Sequence, residues 1–346
     1  MEVAGKLMWV AQQVMPILAA PLSYLMSDVK GGTVASLTEA NRLVRIAKAH
    51  AKEGIHFFQH VNPAIATWTD AAHASRKDLN SQGGYLVGLV DGDFMDDQES
   101  KVTILSWNSW KLQRVARSSS GAEVQAASEA QEESEYTRLV LAEIMYGRLE
   151  QIRDWAEHMT QIRSSLIMDC RGVFDALTRT ESSGLGLRDK RAGLEALALR
   201  QSMERTRTVL RWCHSHAQLA DMMTKYNTST TATWEYFRHR GQHWRLIYDP
   251  DFVSAKNRAK KGLKILEDDP DSQTYELEGC LFRVLGPQDA WVCIIPELKK
   301  FEDTFNEEDP KEGCYHNEDL LRAIRTTSNS QATTSRTSGK QGREIA

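Results

Sequence analysis

Four carboxylates carry the chemistry open to this sequence: Asp70, Glu123, Asp169 and Asp221. Asp70 closes the apolar run AIATWTD, and Asp169 closes the run inside SSLIMDCRGVFDAL. Glu123 follows a row of serines at the start of a long helical pattern, and Asp221 lies early in AQLADMMTKY. Taken singly, an aspartate after a strand is a turn residue and an acid at a helix start complements the macrodipole. Brought together at one end of a sheet, four carboxylates repel one another and their pKa values rise. A divalent cation removes that penalty, and hard oxygen donors favour Mg2+ or Mn2+. Two such ions about 4 Å apart can activate a water and stabilise the leaving oxygen of a phosphodiester. The chemistry implied is in-line hydrolysis of nucleic acid.

The elements that must position these groups follow from the hydrophobic pattern. Residues 64–70, 84–92 and 101–117 read as three strands joined by short loops, an antiparallel meander with a turn near Asn108. Ser118–Gly147 reads as a long helix capped by serines. Its stripe of Ala122, Ala126, Ala127 and Ala130 would let it lie close to a sheet, and Leu139, Leu141, Ile144 and Met145 extend the apolar side. Residues 148–163 continue as a charged helix or linker. The run 164–169 suits a buried, parallel-type strand, with its aspartate in the crevice where open α/β sheets bind ligands. Helices over 172–179 and 187–205, the latter with apolar residues at 194, 197, 198 and 199, flank a hinge at SSGLG. A strand at 208–213 and a helix at 217–226 complete the order β-β-β-α-β-α-α-β-α. The fold class is α/β, a mixed five-stranded sheet with flanking helices.

Ahead of this region, residues 4–27 and 37–53 read as two packed helices. Pro16 interrupts the first, and Ser36 or Thr38 caps the second. Behind it, residues 230–300 read as a small appended module, with two strands around the turn GPQD and a basic segment SAKNRAKKGLK. Residues 326–346 are polar with almost no apolar content, which predicts disorder.

The 346 residues are 41% hydrophobic and 26% charged, a globular composition long enough for two or three domains. A net charge of −4 means that any nucleic-acid footprint is local. The five cysteines, Cys170, Cys213, Cys280, Cys293 and Cys314, contain no CxxC pair, so they read as reduced thiols rather than a zinc site. No apolar run reaches the length of a membrane span, and the first residues are too interrupted by polar groups for a signal peptide. The expectation is an intracellular protein, cytoplasmic or nuclear.

The phrases WTDAAHASRKDLNSQGGYLVG, ILSWNSWKLQRVARSSSGAEVQAASEA, SLIMDCRGVFDAL and LRWCHSHAQLADMMTK stand in order and at fitting intervals. Together they resemble the ribonuclease H domain of the copia-type LTR retrotransposon Pol polyprotein, with SWNSWKLQRVARSS and QLADMMTK the most specific. GKLMWVAQQVMPILA and ANRLVRIAKAHAKEG resemble the stretch joining reverse transcriptase to ribonuclease H in that family. The resemblance implies a ribonuclease H-like fold. It divides the chain into a helical connection segment at 1–58, the ribonuclease H-like domain at 59–228, a C-terminal extension at 229–322 and a disordered tail at 323–346. It also implies that Asp70, Glu123, Asp169 and Asp221 bind two Mg2+ or Mn2+ ions and that the substrate is the RNA strand of an RNA–DNA hybrid. A histidine near the last carboxylate, His214 or His216, would assist proton transfer or product release. The chain departs from the family at Cys170, where a polar amide residue is usual, and at Gly121, where many members are acidic. It carries neither the polymerase palm nor the integrase, which suggests a gene fragment and a reverse transcriptase supplied by another chain.

Other readings compete with these. The sequence Phe94–Asp97, FMDD, imitates a reverse-transcriptase active site, but it lacks flanking apolar strands and reads as a solvated acidic loop. The run from Trp234 to Trp244, with Arg238, His239, Arg240 and Arg245, could stack on nucleic acid or form a small core with solvated arginines. His214 and His216 read more readily as exposed loop residues than as catalysts. As a whole, the chain is either an active metal-dependent ribonuclease H or a non-catalytic relic or hybrid-binding module on the same fold. A DNA transposase or resolvase on that fold is a third class.

Overall fold

The computed structural model describes residues 2–28, 31–149, 152–179, 187, 189–226, 228–246, 274–277, 280–284 and 291–293. The chain divides into two units. The first holds every described element up to residue 246, and the second contains three strands after residue 273.

The centre of the first unit is a five-stranded sheet. Its strands are β1 (Pro63–Ala72), β2 (Gln82–Asp91), β4 (Thr103–Lys111), β5 (Arg163–Met168) and β6 (Thr208–Trp212), with a two-residue β3 (Ser100–Lys101) just ahead of β4. The order is β4-β2-β1-β5-β6. β1 pairs antiparallel with β2, and β2 with β4, while β1, β5 and β6 run parallel. Short loops suffice for the antiparallel side, and the parallel side needs helical crossovers. The mixed five-stranded sheet expected from the sequence is therefore present. β4 passes straight through Asn108, which pairs with Tyr85, so the expected turn there is absent; the irregularity is a bulge at Val87/Gly88.

Helix α4 (Ser119–Tyr146) covers one face. Ser118 caps it, its Oγ accepting from the Gly121 N–H at 3.0 Å. Val124, Ala127 and Ala130 pack on Ile65, Tyr85, Val87 and Leu166, while Ala122 and Ala126 pack on Ala71 and Leu112. The alanine stripe is thus the contact surface, because side chains this small let helix and sheet approach closely. Further along, the expected apolar side holds only in part, with Leu141 packed on the core. Ile144 and Met145 are exposed, and Gln131, Ser134 and Arg138 turn inward. Arg138 donates to Ile162 O at 2.8 Å and to Thr208 Oγ1 at 3.1 Å, and burial pushes its pKa down to about 10. These polar anchors tie α4 to the start of β6, which no apolar period signals.

Residues 148–163 supply a short helix, α5 (Trp155–Met159), before β5 begins. After β5 come α6 (Arg171–Thr178) and α7 (Lys190–Thr206); the hinge at SSGLG lies outside the described residues. α7 buries Ala192, Ala196, Leu199 and Met203, and leaves Leu194 and Leu197 exposed against expectation. The helix expected over 217–226 is only four residues long, α8 (Asp221–Thr224).

The N-terminal helices are α1 (Glu2–Gln13), α2 (Ala19–Asp28) and α3 (Val34–Ala49), with Pro16 opening a 3-10 turn between the first two. Thr33 caps α3, in place of Ser36 or Thr38. Buried Arg76 fixes α2 to the β1–β2 loop: it stacks on Tyr24 and donates to Ser23 Oγ at 2.7 Å and Gln82 Oε1 at 2.7 Å. Behind the sheet region, α9 (Thr228–His239) and β7 (His243–Trp244) belong to the same unit, with β7 paired to β3. Trp234, Tyr236, Phe237 and Trp244 are buried and pack edge to face or tilted. Arg238 pairs with Glu53, and Arg240 with Glu99 at 2.5 Å. The aromatic-basic run is therefore a small core with Arg238 and Arg240 paired, and its buried rings offer no stacking platform.

In the second unit, β8 (Thr274–Leu277), β9 (Cys280–Val284) and β10 (Trp291–Cys293) form an antiparallel sheet in the order β10-β9-β8. The strands expected on either side of GPQD are β9 and β10. The basic segment SAKNRAKKGLK and the tail 323–346 lie outside the described residues. Among the described residues no helix is long and apolar enough to cross a membrane.

Candidate active site

The parallel pairing of β1 and β5 sets the register of the site. Trp68 lies opposite Ile167. Two residues further along each strand stand Asp70 and Asp169, so both side chains come off the same end of adjacent strands. β1 runs two residues past Asp70, so that carboxylate sits within the strand rather than at its tip. α4 adds Glu123 from one face of the sheet. This residue is fifth in the helix, beyond the first turn, and only 9% exposed, so it is not a dipole-complementing cap. One oxygen from each of Asp70, Glu123 and Asp169 lies within 4.8 Å of the others.

α8 approaches from another side. Its closeness depends on Gly84, which pairs with Asp70 across β1 and β2: a Cβ there would overlap Met223 Cβ and press on Thr224 Cγ2. Ser109 Oγ on β4 donates to Met223 O, and Tyr24 Oη on α2 donates to Thr224 O at 3.0 Å. Held this way, Thr224 Oγ1 donates to Asp70 Oδ2. The Lys225 ammonium lies 2.6 Å from Asp221 Oδ1 and 3.3 Å from Asp70 Oδ2. Asp221 thus reaches the site through Lys225 and stands outside the three-carboxylate group. Thr224 and Lys225 were not singled out from the sequence. The signal for Lys225 is its place four residues after Asp221, which puts both on one helical face.

Electrostatics follow from this crowding. Burial, then the neighbouring Asp70 and Asp169, pushes Glu123 well above the ordinary carboxylate range. Burial and Asp70 also push Asp169 up to about 6, and the same two causes raise Asp221, with Lys225 opposing. Desolvation raises the Cys170 thiol to about 12 and the buried Cys213 thiol well above its usual value. Both are neutral, weak hydrogen-bonding groups at the edge of an acidic centre. His214 follows β6 and is 3% exposed, which overturns the expectation of a solvent-facing loop residue. It is not part of the three-carboxylate group, and the side chain of His216 lies outside the described atoms.

The donor set is all oxygen, buried and short of positive charge. Those are the properties of a site that accepts a hard divalent cation such as Mg2+, Mn2+ or Ca2+. Asp70, Glu123 and Asp169 fit such an ion as a group, on their mutual distances and on the repulsion that raises Glu123 and Asp169.

No family model and no curated protein matches the chain. Among solved structures it is similar to RNase H1 from the halophilic archaeon Halobacterium salinarum NRC-1, at 16% identity and a TM-score of 0.29, over 46% of this chain and 94% of that one. At that level of likeness the case for this chain rests on its own carboxylates.

Proposed function

We propose that the chain is a divalent-metal-dependent ribonuclease H of copia-type retroelement descent, cutting the RNA strand of RNA–DNA hybrids. The observation that carries this reading is the meeting of Asp70, Glu123 and Asp169 on one end of a mixed sheet, with Asp221 alongside. The four motif phrases that resemble the copia-type domain support it independently.

In this reading Asp70, Glu123, Asp169 and Asp221 hold two Mg2+ or Mn2+ ions. Such ions, when bound, supply an activated water and charge stabilisation at the leaving oxygen. The residues do the rest. Adjacent strands fix the spacing of Asp70 and Asp169, so little reorganisation is needed on binding. Thr224 orients the Asp70 carboxylate by donating to Oδ2, while the Lys225 ammonium lies 3.4 Å from Oδ1. The neutral thiol of Cys170 adds no charge beside Asp169. His214 carries a proton to or from the cut strand, as the resemblance implies. The hybrid is read through its 2′-hydroxyls and backbone shape, with little base preference. Residues 1–58 serve as the connection segment, 59–228 as the nuclease domain, 229–322 as an extension and 323–346 as a tail, and a reverse transcriptase on another chain supplies the hybrid.

A second reading is a non-catalytic hybrid-binding module of the same descent. It is favoured by Cys170, which offers only a weak donor where a polar amide residue is usual. Incubating the chain with an end-labelled hybrid and Mg2+ separates the two. The enzyme reading expects RNA-strand cleavage that falls about 10²- to 10³-fold in Asp70→Asn and Asp169→Asn, the scale on which a lost electrostatic stabiliser acts. Retarded mobility of an intact hybrid would instead support the module.

A further inference from the structure

Lys225 reaches into the carboxylate cluster through two ion pairs. It is 36% exposed, so its stem enters from the surface, and its ammonium contacts two acids on different elements: Asp221 of α8 and Asp70 of β1. Asp70 is also one of the three carboxylates that crowd within 4.8 Å. One unit of positive charge therefore sits against the acids that any cation entering the site must use. An ammonium is a compact point charge on a flexible stem, able to bind a carboxylate pair and to leave it without breaking the backbone. The backbone carrying it is held in place separately, through Tyr24 on Thr224 O and Ser109 on Met223 O, so movement of the side chain need not disturb α8.

We propose that Lys225 is a resident counter-cation that competes with divalent metal for Asp70 and Asp221. Without metal it ties the two acids together and keeps the folded cluster tolerable. When metal arrives, the ammonium swings out towards solvent and Asp221 is released to join Asp70. The first ion is taken largely by Glu123 and Asp169, and the second binds only at a concentration that displaces the lysine. The residue thus sets a divalent threshold and positions Asp70 and Asp221 without touching substrate. This rests on the metal-site reading of the same cluster.

The test is Mn2+ binding to the full chain without nucleic acid, followed by calorimetry and by electron paramagnetic resonance of free Mn2+. Wild type is compared with Lys225→Met, Lys225→Arg and Asp169→Asn. In Lys225→Met the weaker Mn2+ equilibrium should tighten about tenfold or more, because one unit of like charge is gone from a site of low effective dielectric. Lys225→Arg should stay near wild type, and Asp169→Asn should lose the tighter site. Mn2+ affinity in Lys225→Met that is unchanged or weaker overturns the proposal while leaving the metal site standing. Absence of Mn2+ binding in wild type and Lys225→Met alike overturns both. A second measurement needs no variant: acylation of Lys225 by a water-soluble ester, read by mass spectrometry, should rise severalfold when Mn2+ is added to wild type. Labelling that stays level or falls would mean the ammonium never leaves.

Discussion

Two acidic regions of this molecule invite comparison because only one resembles a site. In the turn at 93–97, Asp96 is gripped by both Nη atoms of Arg163, at 3.2 and 3.3 Å, and Asp97 pairs with Arg211. Phe94 and Met95 of the same turn are buried, with Phe94 edge-on to Trp68 at 5.7 Å. The turn is thus a packed, charge-balanced structural piece rather than the freely solvated loop its composition suggests. At the end of β1 and β5, Asp70 and Asp221 share the ammonium of Lys225 while Glu123 and Asp169 crowd against Asp70. Arg163 holds Asp96 below the usual carboxylate range, whereas Glu123, Asp169 and Asp221 are driven up. An acidic cluster points to a cation when its own fold leaves it short of positive charge, and the number of acids alone does not decide.

The two regions should respond oppositely to pH, and this is the largest stability effect expected. A carboxylate whose folded pKa is raised binds its proton more tightly in the native state. Its contribution is full below the unfolded value near 4 and is lost as pH rises through the folded value. Asp169, raised to about 6, and Glu123 and Asp221, held well above the ordinary carboxylate range by burial and their acidic neighbours, therefore weaken the metal-free protein as pH climbs. A tenfold change in proton affinity is worth about 1.4 kcal/mol, so Asp169 alone accounts for on the order of 2–3 kcal/mol between its unfolded and folded values. Urea unfolding in chelator at pH 5 and pH 8 should show the loss. Saturating Mg2+ at pH 8 should restore it, and Asp169→Asn should flatten the slope. Asp96, with its pKa lowered, contributes in the other direction: its stabilisation is present above the unfolded value and is lost on acidification. A metal-free protein more stable at pH 8 than at pH 5 would contradict the contrast.

The next effect concerns how tightly the site is assembled. Gly84→Ala places a methyl on Met223 and Thr224, both on α8, and backbone must shift to admit it. Overpacking of this kind costs about 1–3 kcal/mol. The displaced α8 carries Asp221, Thr224 and Lys225, so hybrid cleavage should fall by more than the stability loss explains. Unfolding midpoint and cleavage rate measured on the same preparation check this. The acidic turn at 93–97 should be unaffected, because Gly84 does not touch it.

The difference between the regions also explains what the sequence could reveal. Apolar runs bounded by turn residues and the alanine stripe are local, so the five strands and the path of α4 are legible along the chain. The end of β5 just before Asp169 is equally so, because an apolar run and a turn residue mark it. The partners are another matter. Whether Asp96 has an arginine depends on Arg163, 67 residues away, and whether Asp70 meets a lysine depends on Lys225, 155 residues away. The inward turn of Arg138 and the exposure of Leu194 and Leu197 fail to show for the same reason: a helix interior is chosen by what packs on it. The motif QLADMMTK contains Thr224 and Lys225, yet only the fold shows that Gly84 lets them reach Asp70.

The smallest effect tests the charge-balanced side of the comparison. Asp96 is exposed and its pair with Arg163 is screened by solvent, so Asp96→Asn should leave the unfolding midpoint close to wild type. Arg163 also donates to Gly92 O at 3.1 Å, and that hydrogen bond survives the substitution and keeps the guanidinium in place. Hybrid cleavage and Mn2+ affinity should stay at wild-type values, because Asp96 belongs to a turn under Trp68 and shares no ligand with Asp70. Chemical denaturation and Mn2+ titration of Asp96→Asn beside Asp169→Asn measure the contrast directly. Equal losses of Mn2+ affinity in the two would mean that acidity anywhere on this chain attracts the ion, and the distinction between paired and unpaired carboxylates would fail.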